Sequence, residues 1–111
     1  DVLLSGMGVT KNIACGTLCV CNNEEEALAK FKTGDILVIP QTTNRVLNLM
    51  KSATGIITEQ GGANSHAAIV GLALDKPVIA GAEHATQILK SGTTVTLDAS
   101  RGIVFSGITQ Q

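Results

Sequence analysis

Aromatic residues are almost missing from this chain. Phe31 and Phe105 are the two present among 111 residues, with no Trp and no Tyr. Proline is as scarce, at Pro40 and Pro77. Charged residues make up 15% of the sequence, and 8 Lys plus Arg against 9 Asp plus Glu leave a formal charge of −1. No basic run occurs. Each shortage excludes a class of function. Single-stranded nucleic acid is held by stacking on aromatics in a basic groove, and duplex binding needs clustered Lys and Arg. A membrane-crossing helix needs about 20 consecutive apolar residues, far more than any apolar run here. What is abundant is aliphatic: apolar residues reach 44%. Low charge with high apolar content excludes disorder. The length fits one domain, residues 1–111, that buries roughly two-thirds of its unfolded surface around Ile, Val, Leu and Ala. An opening on Asp1 rather than Met predicts a module excised from a longer protein.

The three cysteines, Cys15, Cys19 and Cys21, fall in one short stretch. A structural zinc site typically takes four ligands in two separated pairs. An odd count also argues against a disulfide framework. The cysteines therefore read as small apolar fillers of a strand in a reducing, cytoplasmic setting.

The segment up to Gly16 is punctuated by glycine and reads as loop with at most one strand. Thr17–Cys21 reads as a strand. Asn23 is placed to cap a helix with Glu24, Glu25 and Glu26 in its first turn, an apolar stripe of Ala27, Leu28 and Phe31, and Gly34 as its stop. Ile36–Ile39 is an unbroken apolar run, the mark of a strand buried on both faces. The alternation then repeats. Thr42 or Thr43 caps a helix with stripe Val46, Leu47 and Met50, and Gly55–Thr58 is the next buried strand. Asn64 or Ser65 caps a helix with Ile69, Leu72 and Ala73 on one face, and Pro77–Ala80 is the third buried strand. Ala85, Ile88 and Leu89 mark a short helix ended by Gly92. Thr93–Asp98 and Gly102–Ser106 form a hairpin, with Asp98 binding backbone amides of the turn. Residues Ile108–Gln111 read as frayed. The fold class is α/β: a mixed or double-layered sheet with a parallel βαβαβ core and antiparallel flanking strands.

In open α/β sheets, ligands collect beyond the carboxyl ends of the parallel strands. The loop at that edge after the second buried strand, Thr58 to His66, is distinctive. Gly61 and Gly62 let the backbone approach a ligand closely. A helix N-terminus follows, with free amides and the positive end of its dipole, a general anion site suited to phosphate. Thr58, Asn64 and Ser65 add short hydrogen-bonding side chains. His66 lies in the first turn, where the positive helix end favours the neutral, nucleophilic imidazole. The residues fit a phosphohistidine site, a passive anion pocket, or a capping loop with a half-exposed His. They do not fit a dinucleotide or P-loop glycine pattern. His84, beside Glu83, reads as a surface His at a helix start, and Arg45 and Lys76 as solvated charges near loops.

Thr58-x-x-Gly61-Gly62-x-x-Ser65-His66-x-Ala68 resembles the phosphohistidine signature of the phosphoenolpyruvate-utilising enzymes. That family includes pyruvate phosphate dikinase, phosphoenolpyruvate synthase and the sugar-phosphotransferase Enzyme I. The resemblance runs from Gly6-x-Gly8 to Gly102. It implies a mobile, swivelling β/β/α domain, with His66 as the candidate phosphoryl acceptor and Thr58, Gly61, Gly62, Asn64 and Ser65 as phosphate-binding residues. Three further stretches, Glu25–Lys30, Ile56–Glu59 and Ser65–Leu72, are similar to the extra C-terminal domain of some bacterial pyruvate kinases, as is Asp98–Gly102. That resemblance implies a parent enzyme converting phosphoenolpyruvate and ADP to pyruvate and ATP on a barrel domain outside this chain. It implies magnesium and potassium for the parent, no cofactor or metal in the module, and no turnover by the module alone. The implied partners are other domains of the same chain, a homotetramer, and phosphate or sulfate.

Two positions differ from the carriers. Where they hold a small residue followed by Arg, this chain has Gly71-Leu72, and a bidentate phosphate contact is lost. Asn64 stands where dikinases have a phosphorylatable Thr. The expectation is an accessory domain serving structure, oligomer contacts or regulation, with an anion site at the Gly61-Gly62/His66 loop. The alternative is a working phosphohistidine carrier. A Glu59 carboxylate facing the loop would repel phosphate.

Overall fold

Three short apolar runs form the centre of the molecule. In the computed structural model, which describes residues 1–107, Ile36–Ile39 (β4), Gly55–Thr58 (β5) and Val78–Ala80 (β6) are strands buried at every position. They pair in parallel, with Ile36 opposite Gly55 and Ile56 opposite Val78. Alternate side chains of a strand leave opposite faces, so each run feeds two cores. Ile36, Val38, Ile57 and Ile79 point to one cluster, shared with Val95, Leu97 and Val104. Leu37, Ile39, Ile56 and Val78 point to the other, shared with Ala27, Met50 and Ala67. Each such aliphatic side chain contributes about 1.5–3 kcal/mol when fully buried.

The first cluster lies against an antiparallel layer. It is built from Val2–Ser5 (β1), Ile103–Ser106 (β8) and Thr94–Asp98 (β7), in that order. Ile13–Val20 (β3) joins the two layers. Its first part pairs antiparallel with β7, Ile13 opposite Asp98, and its last three residues pair in parallel with β4, Leu18 opposite Ile36. The two-residue strand Met7–Gly8 (β2) closes the far edge against β6. The second cluster lies under the helices Glu24–Lys30 (α1), Leu47–Ser52 (α2) and His66–Leu74 (α3). A short helix, Ala85–Ile88 (α4), follows β6. The architecture is the β/β/α arrangement expected, with eight strands among the described residues.

Several expectations need correction. The opening is not loop: β1, β2 and the first half of β3 lie before Thr17, because their partners come from the end of the chain and from β6. β3 is also parallel to β4, which adds a third crossover through α1. Helix α1 ends at Lys30, four residues before Gly34. Phe31 turns to extended backbone and lays its ring on the helix-side core. Asn23 does cap α1, accepting from the Glu26 amide at 2.8 Å. Cys19 and Cys21 are buried strand fillers as expected, but Cys15 is exposed at the antiparallel edge.

The inward face of α3 is the largest correction. Ile69 and Leu72 are 58% and 56% exposed, and Ala67, Ala68 and Gly71 face the core instead. The helix is apolar all round, so periodicity alone does not choose a face. Close packing chooses it. A Cβ at Gly71 would collide with Val78 Cγ2 of β6, so only small residues fit beneath the helix. The expected hairpin is present, with Leu97 opposite Val104. Asp98 Oδ1 accepts from the Arg101 amide at 3.2 Å, as a turn residue should. The expected fraying of Ile108–Gln111 lies outside the described residues.

Candidate functional site

The carboxyl ends of β4 and β5 open into a cavity of about 330 Å³. Gln41 and Thr42 enter from the loop after β4, Thr58, Gln60 and Gly61 from the end of β5 and its loop, and Ser65, His66 and Ala67 from the start of α3. The β5–α3 turn shapes the floor. Gly61 has φ of 89°, a backbone state L residues rarely adopt, and a Cβ there would sit 2.6 Å from Ser65 Cβ. Ser65, not Asn64, caps α3. Its hydroxyl donates to the Gly62 carbonyl at 2.8 Å and accepts from the Ala68 amide at 3.3 Å. The amides of His66 and Ala67, the first two of the helix, have no intrahelical acceptor. They head α3 at the cavity wall with the positive end of its dipole.

His66 is half-buried and tied at both ring nitrogens. Nδ1 lies 2.8 Å from Thr42 Oγ1, and Nε2 lies 2.8 Å from Asn44 Oδ1. Thr42 is buried, whereas Asn44 is exposed in the 3-10 turn Asn44–Val46 that leads into α2. Thr43 caps that turn, accepting from the Arg45 amide at 3.2 Å. Glu24 of α1 holds the same segment through its Oε2, which accepts from the Thr43 amide at 2.8 Å and hydroxyl at 2.7 Å. Arg45 donates to Glu25 at 2.8 Å. That ion pair lowers the carboxyl pKa of Glu25, first through the hydrogen bond, and raises the guanidinium pKa of Arg45.

Thr58, Gly61, Ser65 and His66 are thus brought together. Thr58 is buried and its hydroxyl donates to the Gln60 carbonyl at 3.0 Å. Gly62 and Asn64 lie outside the cavity lining, Gly62 against the Met7 sulfur and Asn64 exposed. Sequence reasoning named Thr42 as a cap and did not single out Gln41, Asn44 or Gln60 as site residues. No local pattern marks them, since their role comes from the pairing of β4 with β5. Glu59 faces away from the cavity. Its Oε2 accepts from the Thr86 amide at 2.8 Å and hydroxyl at 2.6 Å, closing the start of α4. Leu72 borders a separate hollow with Val9, Lys11 and Asp75. Neither fills the His66 cavity, and among the described residues no Lys or Arg lines it. His84 has φ of 64° and precedes α4 outside the cavity.

Cys21 is chemically quiet. Burial first, then the Cys19 sulfur 3.6 Å away, pushes the Cys21 thiol up to about 12, so the nucleophilic thiolate is suppressed. Among the described residues no three or more His, Cys, Asp or Glu stand together to hold a metal, and no helix is long and apolar enough to cross a membrane.

A β/β/α fold with a histidine at a glycine-turned helix start is the arrangement that defines the class of this domain. Residues 31–102 match the model of the PEP-utilising enzyme mobile domain, and the chain belongs to that family. It is 43% identical over 107 residues to a pyruvate kinase of Bacillus licheniformis, covering 96% of this chain and 18% of that one. It is 42% identical over 106 residues to a probable phosphoenolpyruvate synthase of Archaeoglobus fulgidus, covering 96% of this chain and 14% of that one. Among solved structures, an Enzyme I protein superposes with a TM-score of 0.61 at 27% identity, covering 75% of this chain and 34% of that one. The chain therefore spans less than a fifth of these two curated relatives.

Proposed function

We propose that this chain is the accessory mobile domain of a longer pyruvate kinase and serves contacts or regulation there, with an anion pocket at His66. The observation that carries this reading is the composition of the cavity. Thr42, Thr58, Ser65 and His66 line it at the head of α3, with no Lys or Arg among the described residues. Backbone amides and a helix dipole suffice to hold a phosphate-sized anion. A transferring phosphoryl group further benefits from an Arg clamp on its developing charge, and among the described residues no Arg lines the cavity. The high identity to a pyruvate kinase along nearly the whole chain supports the parentage.

In this reading the kinase reaction, its magnesium and its potassium belong to other domains of the parent. The domain docks on those domains within a homotetramer in the cytoplasm, where its three thiols stay free. The bound anion is phosphate, sulfate or the phosphate of an effector. Deleting the module from the parent leaves kinase turnover in place and changes the tetramer or the effector response. An unchanged tetramer and an unchanged response would remove this role.

A second reading has its own support. Glu59 is turned to α4 and Leu72 lies in another hollow, so the pocket of a phosphohistidine carrier is open. Labelled phosphoenolpyruvate separates the two. Acid-labile, base-stable label on His66 of the parent protein establishes a carrier. No label, under conditions that charge a control carrier, leaves the accessory reading.

A further inference from the structure

We propose that Asn44 is a positioning residue that latches His66 in one tautomer and so withholds its outer nitrogen from phosphoryl groups. The proposal rests on the anion-pocket reading above and adds a reason for His66 to be idle. Asn44 Oδ1 lies 2.8 Å from Nε2. An amide oxygen only accepts, so Nε2 carries the proton. Nδ1 then holds the lone pair of the neutral ring, and the Thr42 hydroxyl 2.8 Å away donates into it. Both nitrogens are spent. Nδ1 sits at the part-buried end under Thr42, while Nε2 sits at the exposed end and is the one an incoming group reaches.

The latch is held in place from outside the site. Thr43, the residue before Asn44, is fixed by two hydrogen bonds to Glu24, and Arg45, the residue after it, by its bond to Glu25. The amide is therefore presented by a tied segment. Release needs no backbone change. A half-turn of the Asn44 amide offers NH2 in place of oxygen. The ring proton then resides on Nδ1 and is donated to Thr42, whose hydroxyl serves either role. The Nε2 lone pair then accepts from that NH2 and attacks phosphorus once the amide swings aside. With phosphoramidate as donor, the new bond joins Nε2 to phosphorus and the old nitrogen–phosphorus bond breaks. Ammonia leaves with the electron pair, and the ring proton stays on Nδ1, hydrogen-bonded to the Thr42 hydroxyl.

The test uses the 15N-labelled chain, inorganic phosphate and phosphoramidate, with Asn44→Ala, Asn44→Asp and His66→Ala. Asn44 is exposed, so its replacement leaves the core intact. The ring 15N spectrum of the unaltered chain should show the Nε2–H tautomer. Asn44→Asp keeps an oxygen acceptor and should keep that tautomer. Asn44→Ala should lose it and take label from phosphoramidate about fivefold faster, the worth of one freed hydrogen bond. His66→Ala should take none. An Nδ1–H tautomer in the unaltered chain, or equal labelling of it and Asn44→Ala, overturns the latch. Added inorganic phosphate tests the pocket separately and should shift the His66 and Ala67 amides. If it does, a failed tautomer or labelling result counts against Asn44 alone. If it does not, the pocket reading falls and the proposal falls with it.

Discussion

Two helices start at the same edge of the parallel sheet, and they treat their first amides in opposite ways. At α4 the protein supplies its own anion: the Glu59 carboxylate takes the Thr86 amide and hydroxyl. At α3 the serine cap satisfies the Ala68 amide, and His66 and Ala67, the first residues of the helix, line a cavity. Free helix amides are costly unless something meets them. A carboxylate is available one residue beyond β5, yet it serves the neighbour. In the proposed reading, α3 is the end left open for an anion, whereas α4 is closed by Glu59. The two histidines divide in the same way. His66 is held by Thr42 and Asn44, whereas His84 makes no side-chain capping bond.

Breaking the seat of α3 should have the largest effect. Gly71→Ala puts a methyl against Val78 and overpacks the helix-side core, at a cost of about 1–3 kcal/mol. The urea midpoint should fall without a change of slope. Phosphate-induced shifts at His66 should weaken with it. Glu59→Ala opens the α4 end instead. It loses two hydrogen bonds to Thr86 and should cost about 1–2 kcal/mol in the same assay, with phosphate binding at α3 unaltered. If phosphate then binds at Ala85 and Thr86 as well as it does at His66, the contrast between the two ends was only the presence of Glu59. Ser65→Ala removes the α3 cap for about 1 kcal/mol and should loosen the pocket floor.

The smallest effect is expected from acid. Glu25 keeps a depressed pKa in the folded chain because Arg45 donates to it. A depressed folded value means a contribution that is complete above the ordinary glutamate range and lost as pH falls through the depressed value. Both groups are exposed, so the stability change should be slight. The amide signals of Thr43 to Val46 should move in that window, and Arg45→Ala should abolish the movement.

Much of the fold could be read from runs and caps. Ile36–Ile39, Gly55–Thr58 and Val78–Ala80 are too apolar to be anything but doubly buried strands, and Asn23 caps its helix as its position predicts. The glycine turn before His66 likewise announces a helix start that can meet an anion. Other features had no local signal. β3 is one strand because its first half pairs with β7, some eighty residues away in sequence, and its second half with β4. Helix α3 is apolar on every side, so nothing in its own residues could tell that Ile69 and Leu72 face outward. The steric limit comes from Val78, on the strand it packs against.

The sequence by itself determined the class of domain, the strand cores and the identity of the histidine at the helix start. These follow from composition, local periodicity and cap chemistry, which act over a few residues. Only the tertiary structure decided what surrounds that histidine. Thr42 and Asn44 reach its ring because β4 and β5 are neighbours, Glu59 is removed from it because α4 needs a partner, and Leu72 is turned away because α3 must sit close on β6. Each is a contact between segments distant along the chain, and such contacts are chosen by packing and hydrogen-bond demand once the layers have met.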